Sequence, residues 1–279
     1  MPGRLIICAT PIGNLADAAP RLATALAGAD LIYAEDTRRT ATLLRHFGIT
    51  VPLRSYFAGN EAQLSAELGS KLEADRTIAL VTDAGTPVIA DPGASAVRVA
   101  TSVGASVTVV PGPSAVTAAL AVSGMSGDRF VFEGFLPKKG GARAERLDVL
   151  AAEERTIVLF SPPRRIAVDL EALADALGPD RSVTVCRELT KLHEEIEHST
   201  LGESARRWAA GQVRGEFTVV VAGAPHHVGD IAQALRDVQT SMDGGASLSD
   251  AVRSVAAARN VSRRRLYQAA LQGSVADPE

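Results

Sequence analysis

Aromatic residues are scarce in this sequence, and several familiar signatures are missing from it. The 279 residues contain one Trp, three Tyr and seven Phe, which argues against a protein that stacks bases along rows of aromatic rings. No apolar run approaches the roughly 20 residues of a membrane-spanning helix. Neither GxGxxG after the first predicted strand nor GxxxxGK(S/T) anywhere occurs, so a dinucleotide-binding enzyme and a P-loop NTPase are both disfavoured.

Cysteine is almost absent. Cys8 and Cys186 each lie in a short apolar run and form no CxxC pair, so neither a disulfide framework nor a zinc site is predicted. His226 and His227 are adjacent and lack the spacing of metal ligands; we therefore expect no metal. The apolar stretch before Pro11 is too short for the core of a signal peptide, and we expect a cytoplasmic location.

Charge of either sign is nearly balanced. There are 29 basic and 32 acidic residues, giving a net charge of −3, so any contact with nucleic acid must come from local basic patches. Apolar residues make up 46% of the chain, enough for a sizeable core. The length exceeds what one core usually supports, which predicts two domains of roughly 110 to 140 residues.

Short apolar runs alternate with helical spacings, and this rhythm predicts an α/β fold. Strands are predicted at 5–9, 30–34, 77–81 and 106–110, and then at 130–135, 156–160, 182–186 and 217–222. Covering helices are predicted at 21–27, 39–47, 61–72 and 92–103. In the last of these, Asp91 is expected to be the N-cap, Pro92 the first helical residue, and Gly104 the end.

The order of elements predicts two α/β lobes, 1–113 and 114–240, followed by a linker and a helix-turn-helix-like tail at 241–279. Pro111-Gly112-Pro113 is expected to mark the first boundary, and the polar stretch 239–246 to form a linker. Helices are predicted at 248–258 and 262–271 in the tail.

Four loops follow predicted strands of the first lobe, at 9–14, 35–38, 82–87 and 111–115. The carboxyl ends of strands form the ligand-binding edge of an open α/β sheet. Glycine in these loops lets the backbone approach a ligand, and proline fixes their shape. Any one loop alone is more typical of an ordinary turn, but the four together favour a small-molecule site.

Three segments carry dense charge. The segment 187–195, RELTKLHEE, has groups that bind phosphate or move protons, although a solvated surface has the same composition. The basic clusters are Lys138, Lys139, Arg143 and Arg146 near the middle of the chain, and Arg253, Arg259, Arg263, Arg264 and Arg265 in the tail. Phosphate contact and plain solubility explain these clusters about equally well.

Six motifs in this order resemble one family. They are ATPIGNL at 9–15, AEDTRRT at 34–40, VTDAGTPVIADPG at 81–93, VPGPSAV at 110–116, FEGFLPKK at 132–139 and RELTKLHEE at 187–195. The chain resembles the ribosomal RNA small subunit methyltransferase I branch of the tetrapyrrole methylase superfamily, and the resemblance runs from about Leu5 to Leu271.

The resemblance implies a two-lobed α/β fold of the class III methyltransferase type, a homodimer, and S-adenosyl-L-methionine held between the lobes. It also implies methylation of the ribose 2′-hydroxyl of a decoding-centre cytidine in 16S rRNA, within the small ribosomal subunit. The cofactor-binding residues that it implies are Pro11, Asp83, Gly85, Thr86, Ile89, Ser114, Ala115, Phe160 and Ala222. The RNA-binding residues expected with it are Lys138, Lys139, Arg143, Arg263, Arg264 and Arg265.

The catalytic candidates are Asp36 and Glu133 as proton acceptors, and Arg38 and Lys191 as groups that position phosphate or polarise the hydroxyl. An internal ion pair is the alternative role for each. The family commonly has Tyr-Glu-Ser-Pro-His-Arg where this chain has Phe-Ser-Pro-Pro-Arg-Arg at 160–165. Two further functions therefore stay open: a methyltransferase acting on a tetrapyrrole or other small molecule, and a ribosome assembly factor without catalysis.

Overall fold

A computed structural model describes residues 3–210, 213–225, 231–259 and 261–273. The chain divides into two compact units, Met1–Ala224 and Pro225–Glu279. The first predicted lobe, 1–113, belongs to the first unit, and so does the second predicted lobe, 114–240, as far as Ala224. Two five-stranded sheets lie on either side of the predicted boundary at residue 113. That boundary stays a prediction. His226 and His227 lie outside the described residues.

The first sheet is entirely parallel, with the strand order β3-β2-β4-β1-β5. Its strands are β1 (Arg4–Cys8), β2 (Leu31–Ala34), β3 (Leu53–Ser55), β4 (Thr77–Val81) and β5 (Ser106–Val110). Ile6 in β1, an interior strand, pairs with Ala79 of β4 on one side and Thr108 of β5 on the other. Nearly continuous apolar runs in β1, β2 and β4 suit strands that are covered on both faces. Because all five strands are parallel, the loops after their carboxyl ends lie at one edge of the sheet.

Four helices accompany this sheet: α1 (Pro20–Ala27), α2 (Thr37–Phe47), α3 (Glu61–Glu73) and α4 (Ala94–Ser102). The next helix, α5 (Ala115–Val122), packs Val116 and Ala119 against residues of the second sheet. Because successive side chains of a strand point to opposite faces, Leu5 and Ile7 of β1 join one buried cluster while Ile6 and Cys8 join another. The α/β prediction is therefore confirmed.

The predicted start of α4 is wrong. Gly93, with φ 133°, is the N-cap, and the helix begins two residues later than expected, at Ala94. The backbone amide of Gly93 donates to Oε1 of Glu61 at 2.8 Å, so a carboxylate from α3 satisfies an amide at this helix start. Asp91 is consequently not a helix cap and belongs to the loop before it.

The second sheet is mixed, with the order β6-β7-β10-β8-β9. Its strands are β6 (Phe130–Phe135), β7 (Thr156–Ser161), β8 (Ser182–Arg187), β9 (Glu195–Thr200) and β10 (Phe217–Val221). β6 and β7 are parallel, whereas β10 and β9 run antiparallel to their neighbours. The helices α6 (Gly141–Ala151), α7 (Ile166–Leu177) and α8 (Leu201–Trp208) contribute to its core. β9 was not predicted, because its sequence EIEHST is mostly polar.

The second unit contains the helices α9 (Ile231–Asp243), α10 (Leu248–Ala258) and α11 (Arg263–Gly273). The linker predicted at 239–246 is wrong in its first half, because α9 continues to Asp243 and the predicted boundary at 240/241 falls inside it. Ala234 and Val238 of α9 pack with Val252 and Leu266 in a separate buried cluster. In the described ranges, no helix combines the length and the apolar character needed to cross a bilayer.

Candidate active site

A cavity of about 400 Å³ lies in the first unit, where the loops of the first sheet meet those of the second. The first sheet lines it with Ile12, Glu35, Arg39, Asp83, Ala84, Gly85, Thr86, Ile89, Ala90, Asp91, Ser114 and Ala115. The second sheet lines it with Phe135, Phe160, Ser161, Pro162, Pro163, Glu216, Phe217 and Thr218. This size and mixed lining are typical of sites for small molecules and cofactors. All four loops singled out in the sequence reach it.

Backbone contacts bind the loops of the first sheet to one another. The amide of Thr10 donates to the carbonyl of Gly85 at 2.8 Å, and the amide of Gly85 donates back to Thr10 at 3.1 Å. The hydroxyl of Thr86 donates to the carbonyl of Pro113 at 3.4 Å. Gly85 has φ 79°, a left-handed conformation that glycine adopts without steric cost. The loops therefore form one connected edge of the cavity.

The loop between β4 and α4 is backbone-strained. Val88 and Ala90 have φ 78° and 63°, and a β-branched residue with positive φ is unusual. Such strain persists only where the surroundings enforce it, and it concentrates at functional sites. Ile89, Ala90 and Asp91 of this loop all line the cavity, so the strained backbone places side chains directly at the site.

Three carboxylates, Glu35, Asp83 and Asp91, give this side of the cavity a negative charge. Arg39 partly offsets it, with Nε 3.5 Å from Oδ2 of Asp83. Burial, followed by the charge of Glu35, raises the pKa of Asp91 to about 6, although a hydrogen bond from Thr82 opposes the rise. Burial also raises the pKa of Glu35. Such surroundings favour a ligand that carries positive charge.

The facing wall is mostly apolar. The Phe160 ring contacts Phe132 and Phe135, with centroids 5.0 and 5.6 Å apart. Pro162 and Pro163 follow it along the same wall. Aromatic and proline surfaces of this kind suit the flat face of a heterocycle.

A buried ion cluster holds this wall in place from behind. Asp169, with a side chain only 1% exposed, accepts hydrogen bonds from Arg143 at 2.8 Å and Arg165 at 2.9 Å, and from the Ser161 hydroxyl at 2.7 Å. Both guanidinium groups also donate to the carbonyl of Pro137, at 3.0 and 3.4 Å. We call these four side chains the Asp169 cluster. It joins the 161–165 segment to the loop after β6.

Seven of the nine residues expected to bind cofactor line the cavity: Asp83, Gly85, Thr86, Ile89, Ser114, Ala115 and Phe160. Pro11 does not line it, although its neighbour Ile12 does. Ala222 follows the end of β10 opposite to the cavity-lining Phe217, and its amide donates to the carbonyl of Ser182 at 3.0 Å. The structure thus places Ala222 away from the site.

None of the four catalytic candidates lines the cavity. Asp36 caps α2 and forms an ion pair with Arg38 at 2.8 Å; hydrogen bonds from Arg38 lower the Asp36 pKa to about 2. Glu133 accepts from Nε of Arg146 at 2.6 Å and lines a separate groove beside α6. Both carboxylates are therefore neutralised by arginines, which matches the internal ion pair considered as their alternative role.

Lys191 lies close to the cavity without facing it. Its Nζ donates to Glu188 at 2.8 Å and to the cavity-lining Glu216 at 2.9 Å. Burial lowers the pKa of Lys191, but the hydrogen bonds to the two carboxylates outweigh that effect and the pKa is raised. The side-chain stem lies against Gly13, where there is no space for a Cβ atom. Lys191 thus joins the loop after β1 to the loop after β8.

The expected RNA-binding residues differ in exposure. Lys138 and Lys139 are exposed, and so are Arg263, Arg264 and Arg265 at the start of α11. Arg143 is 11% exposed, and its guanidinium is engaged in the Asp169 cluster. This arrangement favours a structural role for Arg143 over the predicted contact with RNA, which stays a prediction.

Sequence reasoning missed several lining residues, above all Glu35, Asp91, Glu216 and the two prolines after Ser161. Glu35 and Asp91 lie inside the quoted motifs AEDTRRT and VTDAGTPVIADPG, so the motifs held the signal. Because Asp91 was interpreted as a helix cap, it was not considered as a site residue. Glu216 carried no local signal, because it reaches the site through the antiparallel strand β10.

Comparison with known proteins identifies the family. Residues 4–205 match the family Tetrapyrrole (Corrin/Porphyrin) Methylases. The chain is 47% identical over 273 residues to Ribosomal RNA small subunit methyltransferase I of Mycobacterium tuberculosis (strain CDC 1551 / Oshkosh), covering 97% of this chain and 95% of that protein. It is 39% identical to the protein of the same name in Escherichia coli O157:H7, with the same two coverages.

Solved structures share the fold at low sequence identity. A uroporphyrin-III C-methyl transferase from Thermus thermophilus, complexed with S-adenyl homocysteine, has a TM-score of 0.57 at 18% identity and covers 79% of this chain and 97% of its own. Diphthine synthase has a TM-score of 0.60 at 15% identity and covers 78% and 89%. The chain belongs to the tetrapyrrole methylase family and, within it, to the ribosomal RNA small subunit methyltransferase I group.

Proposed function

We propose that this chain transfers a methyl group from S-adenosylmethionine to the ribose 2′-hydroxyl of a decoding-centre cytidine in 16S rRNA, in the small ribosomal subunit. The observation that carries the proposal is the acidic cavity, because the motifs that build it are those by which the sequence resembles rRNA methyltransferases. Ribosomes are cytoplasmic, so the proposal includes a cytoplasmic location.

The lining residues fit this cofactor. Its sulfonium and ammonium groups carry positive charge, which matches Glu35, Asp83 and Asp91 on one side of the cavity. Its adenine ring fits the apolar wall formed by Phe160 and Pro162. The cavity volume of about 400 Å³ lies within the range of cofactor sites. The bound cofactor supplies an electrophilic methyl group, while the two walls exclude water and fix the direction of approach of the ribose oxygen.

Two exposed basic surfaces are available to RNA phosphates. Lys138 and Lys139 follow Phe135, a residue of the cavity wall, so a ribose at the cavity brings its neighbouring phosphates near them. Arg263, Arg264 and Arg265 form a second basic surface on α11. Phosphate contacts of this kind position RNA without reading its sequence.

The proposal includes a homodimer. β5 is an edge strand of the first sheet, and its Val107 and Val109 are 41% and 50% exposed. Its sequence SVTVV has none of the lysines or prolines that usually protect a free edge. A second copy covering β5 accounts for this surface. Light scattering after size exclusion tests it: Val109→Asp is expected to yield monomer where the parent protein is dimeric.

The deciding experiment measures transfer of labelled methyl from S-adenosylmethionine to three substrates: unmethylated small ribosomal subunits, free 16S rRNA and a tetrapyrrole. Nuclease mapping then locates the label. A 2′-O-methyl cytidine on subunits is the expected result. Label only on the tetrapyrrole supports the small-molecule alternative, and cofactor binding without any transfer supports the non-catalytic one.

The basic surface on α11 gives a second test. Replacing Arg263, Arg264 and Arg265 together by Ala is expected to raise KM for subunits about 10-fold or more at physiological salt, and to weaken the salt dependence of binding. Arg98→Ala, at an exposed position of α4, is the matched control. An unchanged KM in the triple variant contradicts a role of this surface in RNA binding.

A further inference from the structure

Asp91 is the group in the cavity best placed to take up a proton. Resting on the proposed function, we propose that the Asp91 carboxylate accepts the proton of the ribose hydroxyl during methyl transfer. Asp91 lines the cavity from the strained loop between β4 and α4. Among the described residues, no Lys or Arg side chain forms an ion pair with it. It therefore keeps the proton affinity that an ion pair would remove.

The other cavity carboxylates are already engaged. Asp83 accepts a backbone amide at 2.9 Å and lies 3.5 Å from Arg39. Glu216 pairs with Lys191 and is 63% exposed, so solvent and the ammonium both weaken it as a base. Glu35 accepts the backbone amide of Asp83 at 3.5 Å. Asp83 and Glu216 each face a cation, and Glu35 accepts a backbone amide. The hydrogen bond to Asp91 comes from a neutral hydroxyl, that of Thr82. We therefore assign proton transfer to Asp91 and binding to the other three carboxylates.

The proton acceptors expected from the sequence are less suitable than Asp91. Asp36 is held by Arg38 with a pKa of about 2, so it has little affinity for a proton at neutral pH. Glu133 is paired with Arg146 and lines a different groove. An effective general base needs a pKa close to the working pH and a position within reach of the substrate, and neither residue meets both conditions.

The surroundings of Asp91 tune its proton affinity. Burial and the neighbouring carboxylates Glu35 and Asp83 raise its pKa to about 6, while a hydrogen bond from the Thr82 hydroxyl opposes the rise. Arg39 of α2 faces the same cavity and supplies positive charge. At pH 7.5 Asp91 is therefore ionised, yet it remains a stronger base than an ordinary aspartate.

The step balances as a single displacement. The ribose O–H bond breaks and its proton passes to the Asp91 carboxylate, while the oxygen lone pair forms a new bond to the methyl carbon. The bond between that carbon and sulfur breaks, and its electron pair stays on sulfur, which becomes a neutral thioether. Asp91 later releases the proton to water. The carboxylate thus removes the positive charge that would otherwise build up on the ribose oxygen.

The test compares Asp91→Asn with the unaltered protein on unmethylated small subunits. We expect kcat to fall about 100-fold to 10,000-fold, with the Kd for S-adenosylmethionine, measured by calorimetry, within about threefold of the parent. In the parent, we expect kcat/KM to rise with pH through a midpoint near pH 6, because kcat/KM reports the pKa of the free enzyme. In Asp91→Asn that acid limb disappears. A merely structural role would lower the rate without removing the limb.

Glu35→Gln tests the role of Asp91 independently, through the pH dependence of the rate. Removing the Glu35 charge lowers the pKa of Asp91, so the acid limb is expected to move to lower pH. Asp75→Asn is the matched control, because Asp75 lies in an exposed turn before β4, at the end of that strand away from the cavity. Its rate and pH profile are expected to equal those of the parent.

The outcomes separate this inference from the proposed function. If the parent methylates subunits and Asp91→Asn keeps both its rate and its acid limb, Asp91 is not the proton acceptor. Loss of S-adenosylmethionine binding in Asp91→Asn also overturns the inference, because it makes Asp91 a binding residue. If the parent methylates none of the RNA substrates while binding the cofactor, the proposed function itself fails.

Discussion

The two walls of the cavity are built on opposite principles. The wall from the first sheet carries Glu35, Asp83 and Asp91 on loops with strained backbone, and its charges face the ligand. The wall from the second sheet presents mainly phenylalanine and proline to the cavity. Its cavity-lining carboxylate, Glu216, is paired with Lys191, and the charges of the Asp169 cluster lie behind the wall. Charged side chains therefore line the site on one side of the cavity, whereas on the other side they mainly stabilise the scaffold.

This difference indicates which charged side chains contribute to activity and which contribute to stability. Ionised groups that face a ligand are kept partly unpaired, which costs folding free energy and leaves them free to act. Charges behind the apolar wall are fully paired and hydrogen-bonded, so they are expensive to break. Substitutions on the two walls should accordingly change stability in opposite directions.

The largest effect on stability is expected from removing the buried carboxylate of the Asp169 cluster. Asp169→Ala leaves Arg143 and Arg165 without their carboxylate in a buried position. Removing one partner of a buried pair typically costs about 3 to 5 kcal/mol, so the free energy of unfolding should fall by about that amount in a denaturant titration. Cofactor affinity should fall with it, because Ser161 loses its acceptor as well.

The control for Asp169 lies on the same helix. Asp175 is exposed on α7, and Asp175→Ala should change the free energy of unfolding by less than about 0.5 kcal/mol. If both variants unfold alike, the Asp169 cluster does not stabilise the wall, and the contrast between the two sides of the cavity is lost.

A smaller effect is expected at the point where the walls touch. A methyl group at Gly13 would overlap the stem of Lys191 and displace its ammonium from Glu188 and Glu216. Overpacking of this kind costs about 1 to 3 kcal/mol. Gly13→Ala combined with Lys191→Ala should recover part of that loss in thermal unfolding. If the two losses simply add, the contact between Gly13 and Lys191 is not what makes Gly13 necessary.

The sequence predicted one wall better than the other, for physical reasons. The parallel sheet follows continuous apolar runs, and its ligand edge lies at the strand ends, so the loops holding Asp83, Gly85 and Ser114 were found in advance. The second wall depends on long-range antiparallel pairing. Nothing local places Glu216 at the cavity and Ala222 at the far end of the same strand β10.

Charged residues were predicted least well. Asp36, Arg38 and Glu133 were chosen for their chemistry within matching motifs, yet each has an ion-pair partner outside the cavity. The pair of Asp36 and Arg38 is local, whereas the partners of Arg143 and Asp169 depend on how two different helices pack. Asp91 was likewise predicted as a helix cap because Pro92 follows it, whereas Glu61 from another helix accepts the Gly93 amide at this helix start.

The acidic wall should gain stability when a charge is removed. The folded pKa of Asp91, about 6, lies above the ordinary value of 3.8, so the folded state loses stability as pH rises from about 4 to 6. Asp91→Asn should therefore be more stable than the parent at pH 8, by about 1 kcal/mol after allowance for solvent screening. The difference should vanish below about pH 4. Equal stability of both proteins at pH 8 would show that Asp91 carries no such cost.

The smallest effect is expected from Arg38. Comparing Arg38→Ala with Asp36→Ala separates the contribution of an exposed charge to stability from that of a helix cap. Its side chain is 90% exposed, and exposed ion pairs contribute less than about 1 kcal/mol. Arg38→Ala should barely change the melting temperature, whereas Asp36→Ala also removes the hydrogen bond to the Arg38 amide and should cost about 1 kcal/mol. An Arg38→Ala variant with unchanged stability but a raised KM for subunits, reversed by Arg38→Lys, would place Arg38 on an RNA phosphate. With both kcat and KM unchanged, Arg38 has no role in turnover, and the functional charges of this wall are limited to those that line the cavity.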